Sequence, residues 1–352
     1  MLNLYNAQLQ HLAIHKVGNK SRGESLKTSC GFTEMDDESH AILKEFFLKA
    51  FRNSQENYYS FNPENDLELH PLYQCAKSVF EHPDKCLDYS KQIAAHLYNQ
   101  SQHPHIRSGE LYVVYLDEVF VNHKKTSALG IFKSEIKHDF LQFDEAKPSI
   151  ELLIQQGINL EKLDKGALIF NDVEEEGYRI LSVDSNRYDA KYWLEQFLDV
   201  IPLADENFFT KRYLKFCKDF AKQVVLPAED KKEEVMFLNR SMDYFAKHDD
   251  FEETAFLNET LDNPELIPEF KHFKTQKGPK YSIEDVTQFP IANSVVSDER
   301  RKTKSVITLD THVQIKMDFI NPDTADKYLE KGWDEERQMY YYLVYFNKEQ
   351  KT

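Results

Sequence analysis

The sequence predicts an α+β protein with a central antiparallel sheet covered by helices, a helical middle segment and a C-terminal β segment. Three observations carry this. Between Glu110 and Asp184, short β-branched and aromatic runs are separated by polar turns: Glu110–Leu116, Val119–His123, Ala128–Phe132, Ala167–Phe170 and Tyr178–Val183. That alternation marks successive antiparallel strands. Apolar residues recur at helical spacing on either side of this block, and strand character returns after Ser305. The corresponding division is an α+β domain over 1–188, a helical segment over 189–290 and a β-rich segment over 291–352.

Taken in order, Gln8–Val17 alternates as a strand with Leu12 and Ile14 on one face, and Leu26–Glu34 reads as a second extended piece. Asp36 or Asp37 is placed to cap a helix in which Ile42, Leu43, Phe46, Phe47, Ala50 and Phe51 share a face. Pro71 and Pro83 each stand where a first helical turn tolerates proline, ahead of Leu72–Phe80 and of a helix ending near Tyr98–Gln100. In the paired strands Tyr112, Val114 and Leu116 fall on one face and Leu111, Val113 and Tyr115 on the other. With both faces apolar, cover is expected on both sides. Ser149–Gln156 reads as a short helix stopped by Gly157, and Glu174–Gly177 as a turn in which Gly177 takes positive φ.

From Ala190 the pattern lengthens. Trp193, Leu194, Phe197, Leu198 and Ile201 form one stripe, broken by Pro202; Asn207–Val225 forms a second helix, ended by Pro227. Lys231–His248 is a third, with Val235, Met236, Leu238, Met242 and Phe245 inward, followed by shorter helices at Phe251–Leu261 and Pro264–Phe273. Pro279 and Pro290 mark a connector. Ser305–Leu309, His312–Phe319 and Met339–Phe346 read as strands.

The 352 residues suffice for a sizeable core, and 41% apolar with 30% charged residues is an ordinary globular composition. No run approaches the roughly 18 apolar residues of a membrane span, and the N-terminus lacks the blocks of a secretory signal. Cys30, Cys75, Cys86 and Cys217 are scattered with no Cys-x-x-Cys pair, which reads as buried free thiols in a reducing cytoplasm. The formal charge of −16 opposes a DNA-coating role at long range. Nucleic-acid contact therefore requires a local basic patch, or the partner is another protein.

Such patches exist. Lys211, Lys215, Lys218 and Lys222 are spaced four, three and four apart, which puts their ammonium groups on one helix face, with Arg212 adding a fifth cation against the single acid Asp219. Tyr213, Phe216, Phe220 and Val224 lie towards the other face. Lys271, Lys274, Lys277 and Lys280 fall within ten residues free of acids, and Arg300, Arg301, Lys302 and Lys304 precede the C-terminal strands. Arginine there suits bidentate phosphate contact. The bland alternative is a solvated amphipathic face and a basic linker. Replacing Lys215 and Lys218 by Glu is expected to abolish DNA binding and spare the fold.

The helices around Asp262-Asn263 invite a helix-turn-helix reading, which charge rejects: Glu229–Pro268 holds twelve acids against four Lys or Arg. His11 and His15 share a strand face but lie roughly 13 Å apart at strand rise, too far to chelate one ion. No phosphate loop, nucleophile elbow or His-Glu-x-x-His motif occurs, so no cofactor, catalytic residue or metal is expected. Carboxylates dispersed in sequence but convergent in space would make the chain a nucleic-acid-processing enzyme; a pure protein-interaction scaffold is a third reading.

Four stretches carry a resemblance: Leu9–His15, Gly109–Lys133, Gly157–Phe170 with the later Val-Asp-Ser, and Phe208–Phe220. Together with the strands from Ser305 they resemble the bacterial nucleoid-associated protein family NdpA over most of the chain, departing most around Phe251–Val296. The resemblance implies a cytoplasmic protein of the nucleoid, with DNA or nucleoid proteins, a type II topoisomerase among them, as partners. It implies no enzymatic activity and supplies no site residues.

Overall fold

A strand that is apolar on both faces needs cover on both sides, and the strand Gly109–Val121 (β4) has it. The computed structural model describes residues 2–52, 58–144, 151–185, 192–303, 306–316 and 328–348. The chain divides into two compact units, Met1–Leu203 and Ala204–Thr352.

In the first unit, β4 pairs antiparallel with β5 (Lys124–Ser134), and β5 leads through β8 (Lys165–Phe170), β9 (Arg179–Asp184) and β3 (Tyr59–Phe61) to β10 (Val200–Pro202). On its other side β4 takes β1 (Leu2–Asn3) and β2 (Gln8–Val17) along different parts of its length. Leu111, Val113, Leu129, Ile131, Ile169 and Ile180 pack on one face against α2 (Pro71–Glu81), α3 (Cys86–Gln100) and the π-helical turn Tyr192–Leu198. Tyr112, Val114, Leu116, Phe132, Leu168 and Phe170 pack on the other against Phe46, Phe47 and Phe51 of α1 (Asp37–Arg52). The two-sided alternation read from the sequence is thus the architecture of the sheet. Asp36 caps α1 by accepting from the Ser39 N–H at 2.8 Å.

Gly177 closes the β8–β9 connection at φ 86°, where an added Cβ would meet the Phe61 carbonyl oxygen at 2.0 Å. His15, on β2, is buried within a complete hydrogen-bond set. Its Nδ1 accepts from the Ser29 N–H at 3.0 Å, and its Nε2–H lies 2.9 Å from Ser90 Oγ, whose own hydroxyl donates to the Leu87 carbonyl.

Several elements differ from the sequence reading. Residues Glu151–Ile158 form a strand, β7, paired in register with β6 (Lys137–Asp144), where a helix over Ser149–Gln156 was expected. The run Leu152-Leu153-Ile154 is too short for periodicity to separate helix from strand, and cross-strand pairing decides it. Leu26–Glu34 forms no ladder among the described residues, meeting β2 through a Lys16–Lys27 bridge and a hydrogen bond from the Thr33 N–H to the Leu12 carbonyl at 2.8 Å. Ile42 is exposed, and Ile201 lies on β10, since the helical turn stops at Leu198. All four cysteines are free, but Cys30 is exposed.

In the second unit, α4 (Glu206–Phe220) starts at the Asp205 cap, widens into π-type turns over Ala221–Val225 and ends in α5 (Leu226–Ala228). Then come α6 (Lys231–Lys247), α7 (Glu253–Thr260), α8 (Leu266–Tyr281) and α9 (Asn293–Lys302). They enclose an aromatic core around Tyr213, Phe216, Phe220, Phe245, Phe256 and Phe270. A short ladder of β11 (Asp250–Glu252) and β12 (Gln288–Pro290) closes it. Helix α8 runs through Pro279, which the sequence reading placed in a connector. The C-terminal strands form two ladders, β13 (Val306–Thr308) with β14 (Gln314–Lys316) and β15 (Leu329–Asp334) with β16 (Met339–Val344). The expected His312–Phe319 strand ends, within the described residues, at Lys316, and β15 was not anticipated.

Candidate nucleic-acid interface

Helix α4 turns Tyr213, Phe216 and Phe220 into the aromatic core, so its lysine stripe must face outward. Lys215 and Lys222 are exposed, while Lys211 and Lys218 are half-buried at the margin. Arg212 stacks over the Phe208 ring at 5.0 Å, held on the same helix.

The stripe is flanked by two other helices. Helix α9 adjoins it through Glu299, which accepts from Lys218 Nζ at 2.7 Å and forms an ion pair with Lys302 at 3.3 Å. Partial burial alone would raise the Glu299 pKa, but Lys218 and Lys302 hold it below the usual value. Burial lowers the Lys211 pKa; Glu299 opposes that shift, and the nearby Lys302, Arg212 and Lys215 charges add to it. Cations of α4 and α9 therefore crowd one another across a single surface. On the other flank, Asp219 of α4 meets the end of α8: the Tyr281 hydroxyl donates to it and Lys280 Nζ lies 3.7 Å away. The sequence reading noted Lys280 as part of a cluster but gave no reason to set it beside α4; that proximity comes from the packing of α8.

The remaining candidates separate. Lys274 is withdrawn from the surface: it is 5% exposed, is ion-paired with Glu253 and donates to the Val286 carbonyl at 2.7 Å. A lysine so held is a core strut and makes no phosphate contact, which corrects its place among the candidates. Lys277 is exposed on α8. Arg301 is exposed and bonded to Asp298 at 2.8 Å, and Arg300 points to Asp243 of α6 at 3.7 Å. Lys304 lies outside the described residues. Because Lys218 is tied to Glu299, its change to Glu would set two carboxylates together, so the Lys215 and Lys218 pair is a poorer test than the sequence implied.

Carboxylates do gather at the ends of β5, β8 and β9, each bonded through at least one oxygen, while Glu135 Oε2 is buried without a hydrogen-bond partner among the described residues. Glu135 is paired with the fully buried Lys133 at 2.7 Å, and Asp184 with the fully buried Lys165 at 2.9 Å. Asp164 accepts from the Glu135 and Ile136 N–H groups. Among the described residues no group of three or more His, Cys, Asp or Glu side chains is placed to hold a metal ion, and no helix is long and apolar enough to cross a membrane.

The chain belongs to a family of bacterial nucleoid-associated proteins: the family model described as nucleoid-associated protein YejK matches residues 13–340. Membership makes it a cytoplasmic protein of the nucleoid and connects it with no known enzyme family. No match was found among curated proteins.

Proposed function

We propose that this protein binds duplex DNA directly and without sequence preference, through the face formed by α4 and α9. The observation that supports this most is the Glu299 bridge, which sets Lys302 beside the Lys211, Lys215, Lys218 and Lys222 stripe. Lysine and arginine aimed at phosphates neutralise charge and release counterions, which provides affinity but reads no bases. The overall charge of −16 works against approach, so binding is weak and fades steeply with salt. The proposed contacts are Lys211, Arg212, Lys215, Lys218, Lys222, Arg301 and Lys302, with Arg300, Lys277 and Lys280 at the margins.

The same net charge favours a second reading, in which a DNA-bound protein brings the chain to the nucleoid. A type II topoisomerase is the partner the family resemblance implies. A gel-shift assay with Lys215→Glu/Lys222→Glu separates the two, since both side chains are exposed and neither is ion-paired among the described residues. Loss of the shift with unchanged folding supports the direct route. An undiminished shift at low salt moves the DNA contact elsewhere, and absence of any shift in the parent leaves the partner route.

A further inference from the structure

Alternation along β15 puts Lys331 and Trp333 on one face of its ladder, opposite Tyr342 and Tyr340 of β16 respectively. A two-stranded ladder has little stability of its own, so part of it must be packed. Leu329 of β15 joins Ile307 of β13 and Val235 of α6 in a small apolar core, and Tyr342 packs against it. Lys331 adds an ion pair at 3.0 Å with Asp230, the cap of α6. The far end of the face is left uncovered. Trp333 is 45% exposed and Tyr340 71%, with ring centroids 4.6 Å apart in an edge-to-face arrangement.

These rings wall a cleft of about 490 Å³, within the range that holds a small organic ligand. The β13–β14 connection contributes Asp310 and Thr311 to the lining, beside Thr308 at the end of β13. Lys231, in the first turn of α6, and Lys331 bring two ammonium groups to the same cleft. Each has a carboxylate partner, Glu234 for Lys231 and Asp230 for Lys331. An ammonium has three donors, so an ion pair leaves N–H groups for a ligand. Lys331 Nζ also lies 5.2 Å from the centre of the Tyr340 ring, which sets positive charge against the aromatic wall.

We propose that this cleft binds a nucleobase bearing a phosphate, with the base stacked on Trp333 and Tyr340 and the phosphate held by Lys231 and Lys331. The chemistry of the lining chooses this ligand over a hydrocarbon chain. Adjacent exposed rings offer π faces on which any base stacks. Two lysines at one cleft suit the double charge of a phosphate, and Asp310, Thr308 and Thr311 offer acceptors and hydroxyls to a sugar. A hydrocarbon would leave all of these polar groups without partners. A free mononucleotide and an unpaired base in a nucleic-acid strand present the same chemistry to the cleft. The lining shares no residue with the α4–α9 face, so the site stands independently of duplex binding there.

Trp333 is one of two tryptophans, and the other, Trp193, is fully buried in the first unit, so Trp333 emission reports occupancy. Titration of the full chain with AMP, and separately with a short single-stranded oligonucleotide, is expected to quench it. Quenching by AMP shows that a free nucleotide suffices, and quenching by the oligonucleotide alone assigns the site to a strand; either result supports the proposal. Affinity measured by calorimetry is expected to fall at least about tenfold in Tyr340→Ala, the scale of one lost stacking contact. Lys231→Gln is expected to weaken AMP binding but not that of adenosine, which lacks the phosphate. Lys215→Glu/Lys222→Glu is expected to be quenched as the parent is, which separates this cleft from the α4 stripe. Should a variant fail to fold, the parent still decides: calorimetric binding without Trp333 quenching overturns the proposal. Absence of binding for both ligands overturns it as well, as does a folded Tyr340→Ala that binds as tightly as the parent.

Discussion

Acidification should weaken the first unit through His15. The imidazole has its Nδ1 committed as acceptor to the Ser29 N–H and its Nε2–H to Ser90, an arrangement that only the neutral ring fits. Burial, with a smaller contribution from Lys91, lowers its pKa from 6.5 to about 4. Between those values the unfolded chain binds a proton that the folded chain refuses. Stability is therefore full above the ordinary histidine value and is lost as pH falls towards about 4. At 1.36 kcal/mol per unit, the shift corresponds to a loss of about 3 kcal/mol. His70 and His96, also lowered chiefly by burial, act in the same direction. With only two tryptophans in the chain, Trp333→Phe leaves the buried Trp193 as the reporter of this unit. Urea unfolding followed by Trp193 fluorescence, with and without His15→Gln, then isolates the term. The stability advantage of His15 over Gln should shrink as pH falls through this window. An advantage that is flat, or that grows with acid, would refute the assignment of a neutral buried imidazole.

Two further substitutions test the cores. Val114→Asp puts a charge on a fully buried strand position with apolar cover, and should cost at least about 3 kcal/mol in denaturant unfolding; unchanged stability would remove β4 from the core. Lys274→Met strands Glu253 in the second unit, with an expected loss of about 3–5 kcal/mol and no effect on DNA affinity beyond that of unfolding. A stable variant with weakened DNA binding would return Lys274 to the interface.

Where one element's sequence carried its own burial pattern, it was legible. The alternation of β4 named both faces of the sheet, and the spacing of Lys211 to Lys222 against Tyr213, Phe216 and Phe220 oriented α4 correctly. What depended on packing between distant segments was not. Nothing local in Lys274 distinguishes it from Lys277, yet Glu253 lies 21 residues away in sequence and draws only the first inward. The nearness of α9 to α4 rests on Glu299 meeting Lys218 across 81 residues. The β7 strand was misread because its evidence lies in the partner strand β6. Long-range pairing of this kind leaves no periodic mark in either segment.

The central claim is direct phosphate contact by the α4–α9 face, and the salt dependence of DNA affinity measures it. The seven proposed contacts give a slope of about −6 in log affinity against log salt, the same for unrelated duplex sequences. Removing two exposed cations in Lys215→Gln/Lys222→Gln should flatten the slope by about 2 while the protein stays folded. A slope that the double variant leaves unchanged, or one that differs between duplex sequences, would contradict the account.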